Sequence, residues 1–226
     1  MKRTAHINKI LANPVSGPEI EELSFAAIDK EANPSRFDEQ WEITRRMIHT
    51  TGDVGLADSV KISADAVQAG INALRAGRPI YTDSNMIRAG ISLARLKQAN
   101  PAYSRDCIHC HVADSDVAEM AASSGLPRSL FAVRKASKML QGGIALFGNA
   151  PVGLLELNRM IIEDQLLPAV VMAMPVGFVH VIESKEEFLA LGIPYVAVTG
   201  RRGGSALAVS ALHALCTLAA RDPERS

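Results

Sequence analysis

The spacing of apolar positions divides this chain into two parts. Over residues 20–32, Leu23, Phe25, Ala26 and Ile28 recur at helical intervals; over residues 36–50, Phe37, Trp41, Thr44 and Ile48 fall on one helical face. Asn33-Pro34-Ser35 separates the two segments, and Gly52 stands where the second helix needs a left-handed C-terminal residue. A helical N-terminal segment is predicted. Beyond it the apolar residues gather in short runs: Val60–Ile62, then 79–82, 107–113, 143–147, 169–174 and 195–199. Helix-like stretches at 64–76, 152–163 and 205–220 lie between or after them. Alternating strands and helices predict an α/β fold with a mainly parallel sheet covered on both faces. No internal repeat, low-complexity stretch or long linker interrupts the pattern, so residues 1–226 are expected to form a single domain with tails at about 1–15 and 221–226.

Composition narrows the partners. Lysine plus arginine and aspartate plus glutamate both number 24, so the formal charge is zero and the basic excess of a nucleic-acid binder is missing. Aromatic residues make up 4% of the chain, too few for a base-stacking platform. The strongest membrane candidate, 168–182, is interrupted by Pro175, Gly177 and His180. Met1-Lys2-Arg3 is followed by polar residues rather than the apolar core of a secretory signal. The expectation is a cytoplasmic protein whose three cysteines are free thiols, with neither nucleic acid nor membrane as partner.

One of those runs carries a metal-like motif. Cys107-Ile108-His109-Cys110-His111 reads C-x-x-C-H, the haem-attachment pattern, and its thiols and imidazoles are also zinc ligand types. If 107–113 is a strand, Cys107, His109 and His111 face one way and Ile108, Cys110 and Val112 the other. The two thiols then cannot share a metal, and no metal site is expected. A zinc site would require this segment to be a loop.

In open α/β sheets, ligands bind beyond the carboxyl ends of the strands. The segments there are Thr82-Asp83-Ser84-Asn85, Ala113-Asp114-Ser115-Asp116, Gly148-Asn149-Ala150-Pro151, Pro175-Val176-Gly177-Phe178 and Thr199-Gly200-Arg201-Arg202-Gly203-Gly204-Ser205. In the last, glycines permit close backbone approach, the following helix offers free N–H groups, and two arginines add forked donors. It is neither a Walker loop nor G-x-G-x-x-G. It suits a carboxylate or phosphate, or else is a solvated helix cap with two surface arginines. On these residues alone, a flavodoxin-like phosphate or nucleotide binder using Gly200 to Ser205 is one reading of the chain.

Six motifs in order add a second reading. "EELSFAAI" (21–28), "RMIHTTGD" (46–53), "FGNAP" (147–151), "MPVGFV" (174–179), "ESKEEF" (183–188) and "GRRGGS" (200–205) together resemble the precorrin-8X methylmutase family, over roughly residues 18 to 220. The resemblance implies a flavodoxin-like three-layer α/β/α fold and a homodimer with active sites at its interface. It implies an isomerase that moves a methyl group between adjacent ring C carbons, C11 to C12, of the corrinoid precorrin-8X or cobalt-precorrin-8. The product would be hydrogenobyrinate or cobyrinate, in cobalamin biosynthesis, with no added cofactor. It further implies His49 as the catalytic residue and Ser24, Arg128 and Ser129 as substrate contacts. Asn149 of "FGNAP" and Arg201, Arg202, Gly203 and Gly204 of "GRRGGS" join them as expected substrate-binding residues. The chain departs from the family pattern at Pro127 and Val152, each where threonine is common, and at His180, where glycine is common.

The chemistry is compatible with these residues. Such a macrocycle is ringed by carboxylates, which arginines and helix N-termini bind. An intramolecular methyl shift needs one acid–base group, and histidine titrates in the useful range. The predicted helix end favours an imidazolium at His49, while Arg45, one turn earlier, opposes it.

Overall fold

The computed structural model describes residues 5–221; residues 1–4 and 222–226, which include the outer parts of both expected tails, lie outside the described residues. Six strands form one sheet: β1 (Val60–Ile62), β2 (Ile80–Thr82), β3 (Ile108–His109), β4 (Ile144–Phe147), β5 (Val170–Ala173) and β6 (Tyr195–Val198). Their spatial order is β1-β6-β5-β4-β2-β3, and every neighbouring pair is parallel except β1 with β6. Without β1, the remaining five strands run second-first-third-fourth-fifth, the flavodoxin order, whose switch point lies between its first and third strands, here β2 and β4.

The strands alternate their side chains between two cores. Ile144, Leu146, Met172 and Val196 face one layer of helices, which includes Glu39–Thr51, Ala66–Arg75 and Ser205–Ala219. Ala145, Phe147, Val171 and Ala173 face the other, built from Arg128–Lys135, Pro151–Asp164 and Val181–Leu189. With both faces covered, central strands need apolar residues at every position, which is why they read as continuous apolar runs. β4 and β5 are buried at all positions.

Local chemistry sets the helix ends. The helix expected from residue 36 begins at Glu39, because the Asp38 side chain accepts a hydrogen bond from the Trp41 N–H at 2.9 Å and caps it there. Phe37 consequently lies before the helix and is 71% exposed, not on the apolar face it was expected to share. Gly52 ends the helix with φ of 65°. The expected tail at 1–15 contains the short helix Ile7–Ala12, which buries no residue.

The expected strand at 107–113 is corrected most. Only Ile108 and His109 pair, with β2, at the sheet edge. Arg105–Cys107 is a 3-10 turn capped by Ser104, and the Asp114 N–H donates to the His111 carbonyl at 3.1 Å, turning the chain away. The strand-period argument therefore does not extend to Cys107 and Cys110.

Candidate active site

Three loops meet beyond the carboxyl ends of the strands. After β6, the chain crosses the end of β5: the Gly204 N–H donates to the Met174 carbonyl at 2.9 Å, and a Cβ at Gly203 would collide with that same carbonyl oxygen. It then reaches the end of β4, where a Cβ at Gly148 would stand 2.8 Å from the Ser205 nitrogen. Ser205 completes the crossing at β2, its hydroxyl 3.3 Å from that of Ser84. Glycine is required at both contacts because backbone approaches backbone.

A buried lysine holds this loop from beneath. Lys185, from "ESKEEF", is 1% exposed; its Nζ donates to the carbonyls of Gly200, at 3.0 Å, and Arg202, at 2.7 Å. Burial pushes its pKa down to about 8. The two arginines it presents are exposed. The Arg201 guanidinium lies 5.6 Å from the centre of the Phe178 ring, and Arg202 pairs with Asp53 at 3.0 Å.

At the switch point itself sits a carboxylate from the protein. Asp83 is 2% exposed, and its Oδ2 accepts from the N–H groups of Gly148 at 3.1 Å, Asn149 at 2.7 Å and Ala150 at 2.7 Å. Burial raises its pKa, and the three N–H groups act in the opposite direction. Successive backbone N–H groups of this kind form the anion nest of phosphate binders. Here the nest already holds Asp83, which weighs against the phosphate or nucleotide reading of this crevice.

His49 occupies the last turn of Glu39–Thr51, exposed, with its ring 5.4 Å from that of Phe25 in an edge-to-face arrangement. Phe25 comes from the helix Gly17–Ala32 and also lies under the guanidinium groups of Arg45, at 4.5 Å, and Arg46, at 5.3 Å. Both arginines are tied to that same helix: Arg45 to Asp29 at 2.7 Å and Arg46 to Glu21 at 3.0 Å. Burial raises the Glu21 pKa, but Arg46, aided by Arg95 and His49, outweighs it and leaves the carboxyl below its usual range. Asp29 thus compensates the positive charge of Arg45, one turn before His49.

At Thr50, the residue after His49, a cleft of about 340 Å³ opens, lined also by Met86, Gly90, Ser205, Val209 and His213, among others. It connects the end of the histidine helix to the start of the helix after "GRRGGS". His213 accepts the Ser92 N–H at its Nε2, at 2.9 Å, and burial, with Arg95 and Arg46 nearby, lowers its pKa to about 4. It is therefore neutral at physiological pH and has a structural contact.

The other expected residues are distributed around this rim. Ser24 neighbours Phe25, but its hydroxyl donates to the Ile20 carbonyl at 2.7 Å within its own helix. Asn149 is exposed at the rim while its backbone is held by Asp83. Arg128, exposed, opens a helix on the opposite face of the sheet from His49, and Ser129 packs near Gly153. The structure thus brings Thr50, the residue after His49, and Ser205, the residue after Gly204, to one cleft and leaves Arg128 and Ser129 on the other flank. His180 is exposed with φ of 58°, just before Val181–Leu189.

Among the described residues no group of three or more His, Cys, Asp or Glu side chains could hold a metal ion, and no helix is long and apolar enough to cross a membrane. Cys110 is buried, which pushes its thiol pKa up, and His111 is engaged by Asp114 at 2.9 Å. Phe25, Asp83 and Lys185 were not foreseen as site residues. Asp83 and Lys185 did lie in segments that drew notice, a strand-end loop and a quoted motif; Phe25 stood next to Ser24.

Comparison with known proteins gives a consistent result. Residues 19–218 match the family model for precorrin-8X methylmutase. The chain is 40% identical over 219 residues to a cobalt-precorrin-8 methylmutase of Leptospira interrogans, covering 92% of this chain and 97% of the relative. It is 38% identical to a precorrin-8X methylmutase of Pseudomonas aeruginosa, covering 89% and 95%. The crystal structure of precorrin-8x methyl mutase from Thermus thermophilus superposes with a TM-score of 0.81 at 39% identity, covering 90% and 97%.

Proposed function

The chain belongs to the precorrin-8X methylmutase family, and from that membership we propose that His49 is the proton donor with which it moves the ring C methyl group. The protein is an isomerase of cobalamin biosynthesis, carrying the methyl from C11 to C12 of precorrin-8X or cobalt-precorrin-8. Reactant and product have the same atoms, so a proton lent to the conjugated macrocycle is returned after the shift. Protonation makes the ring system cationic and draws the methyl, with its bonding pair, to the neighbouring carbon. A single group exchanging one proton near neutral pH meets this need.

The observation that carries this reading is the exposed His49 imidazole at a helix C-terminus, one residue before Thr50, which lines a cleft that also reaches Ser205. Arg201, Arg202 and Arg128 are exposed and suit the acetate and propionate groups of the substrate; Asn149, Ser129, Gly203, Gly204 and the backbone beside Ser24 complete the contact surface. A cleft of about 340 Å³ receives one edge of a corrinoid rather than the whole ring. A second copy of the chain encloses the remainder, and the exposed Val176, Phe178 and Val179 on the loop after β5 supply apolar surface for that homodimer. The reaction draws on no added cofactor, and the protein works in the cytoplasm as one domain.

The test follows conversion of precorrin-8X by its absorption spectrum. His49→Ala and His49→Asn should each lower the rate by about 100- to 10,000-fold, the usual contribution of general acid–base catalysis, while corrinoid binding persists. Turnover by either variant within a few-fold of wild type would remove His49 from the mechanism. His180 would then be the next donor to examine.

A further inference from the structure

We propose that Asp83 is a positioning residue of this site: its carboxylate, fixed where the strand order reverses, sets the backbone of Gly148-Asn149-Ala150 and so aims Asn149 at the macrocycle. The inference rests on the corrinoid reading above, in which Asn149 contacts substrate.

Three observations converge on Asp83. First, one oxygen receives three consecutive N–H groups, at 3.1, 2.7 and 2.7 Å, so the backbone path of the loop after β4 is dictated by a side chain from the loop after β2. The chain then enters Pro151–Asp164, where Pro151 has no N–H to satisfy and a negative charge complements the helix start. Second, the loop has no slack on its other side. Gly148 lies against the Ser205 backbone, and Ser205 meets Ser84, the neighbour of Asp83. A change at Asp83 therefore displaces Asn149, whose backbone it holds, while Ser205 keeps its own contact with Ser84. Third, the other carboxylate oxygen of Asp83 is buried and has no hydrogen-bond partner among the described residues. Burying a charge with half of its acceptor capacity unused is unfavourable. The cost is tolerated while Oδ2 holds the loop after β4.

The experiment uses the full chain and combines two perturbations. Asp83→Ala vacates the nest, and sodium formate is the probe that refills it. The variant should show KM for precorrin-8X raised about tenfold or more, since misplacement by about 1 Å can change rates by about 100-fold. Formate should lower that KM toward wild type. In an Asn149→Ala background the further effect of Asp83→Ala should largely vanish, because both act through one contact. Additive effects of the two substitutions would overturn the proposal. So would formate that raises the melting temperature of Asp83→Ala without changing its KM. Should Asp83→Ala not fold, Asp83→Asn, which keeps the shape and removes the charge, takes its place in the same cycle: a raised KM that disappears in the Asn149→Ala background supports the anchor, and wild-type KM refutes it. Wild-type turnover is measured alongside. Its absence would overturn the corrinoid reading itself, whereas normal wild-type turnover with additive variants would overturn only the role of Asp83.

Discussion

Replacing Lys185 with methionine separates the cost of a buried charge from the hold it exerts on the "GRRGGS" loop. The wild-type ammonium is buried, and its pKa is depressed from 10.5 to about 8. That depression corresponds to about 3 kcal/mol by which folding disfavours the charged form. Against it stand the hydrogen bonds to Gly200 and Arg202, about 1.5–3 kcal/mol each for a charged donor. At pH 7 the terms nearly offset, and Lys185→Met should lose between about 0 and 3 kcal/mol, or at most about 10 °C in Tm for a chain of this size. The pH dependence is more telling. Between pH 8 and 10.5 the unfolded lysine still holds its proton while the folded one has released it. Wild-type stability attributable to this group therefore rises with pH across that window and is at its constant minimum below about 8, where both states hold the proton. Thermal or urea unfolding of both proteins from pH 7 to 10.5 should show the wild-type advantage widening by up to about 3 kcal/mol. Parallel profiles would refute the reasoning, because they would mean that Lys185 titrates alike in the folded and unfolded states.

Replacing Arg201 and Arg202 with glutamine should weaken corrinoid binding by about 1.5–3 kcal/mol for each charged hydrogen bond lost, read by spectral titration. Tm should barely move, since the Arg202–Asp53 pair is exposed and worth less than about 1 kcal/mol; a collapse of stability with unchanged binding would reverse the assignment. Cys110→Val should leave activity and metal content unaltered, and stoichiometric zinc that disappears in the variant would contradict this. Light scattering should give twice the monomer mass, and a fully active monomer would exclude a shared site.

Much of the fold was legible because burial imposes a local rhythm. The runs at 143–147, 169–174 and 195–199 are almost continuously apolar because helices cover both faces of β4, β5 and β6. Gly52 marked a helix end because a left-handed residue is required there. The candidate site was legible in part for a related reason: loops at strand ends are where an open sheet exposes backbone, so "FGNAP" and "GRRGGS" could be located before their partners were known. The same local rhythm misled at 107–113, where the apolar pattern continues but pairing stops after His109, because the chain turns away through the hydrogen bond from the Asp114 N–H to the His111 carbonyl. Only the tertiary structure decided that β1 runs antiparallel, that the Asp83 carboxylate fills the nest formed by residues 148–150, that Lys185 lies beneath the arginine loop, and that Phe25 meets His49. Asp83 and the loop it anchors are 65 to 67 positions apart in the chain. The periodicity of a segment reports which face is buried, but carries no information about which distant loop will lie against it; that is set by strand order and by the close backbone approaches at Gly148 and Gly203.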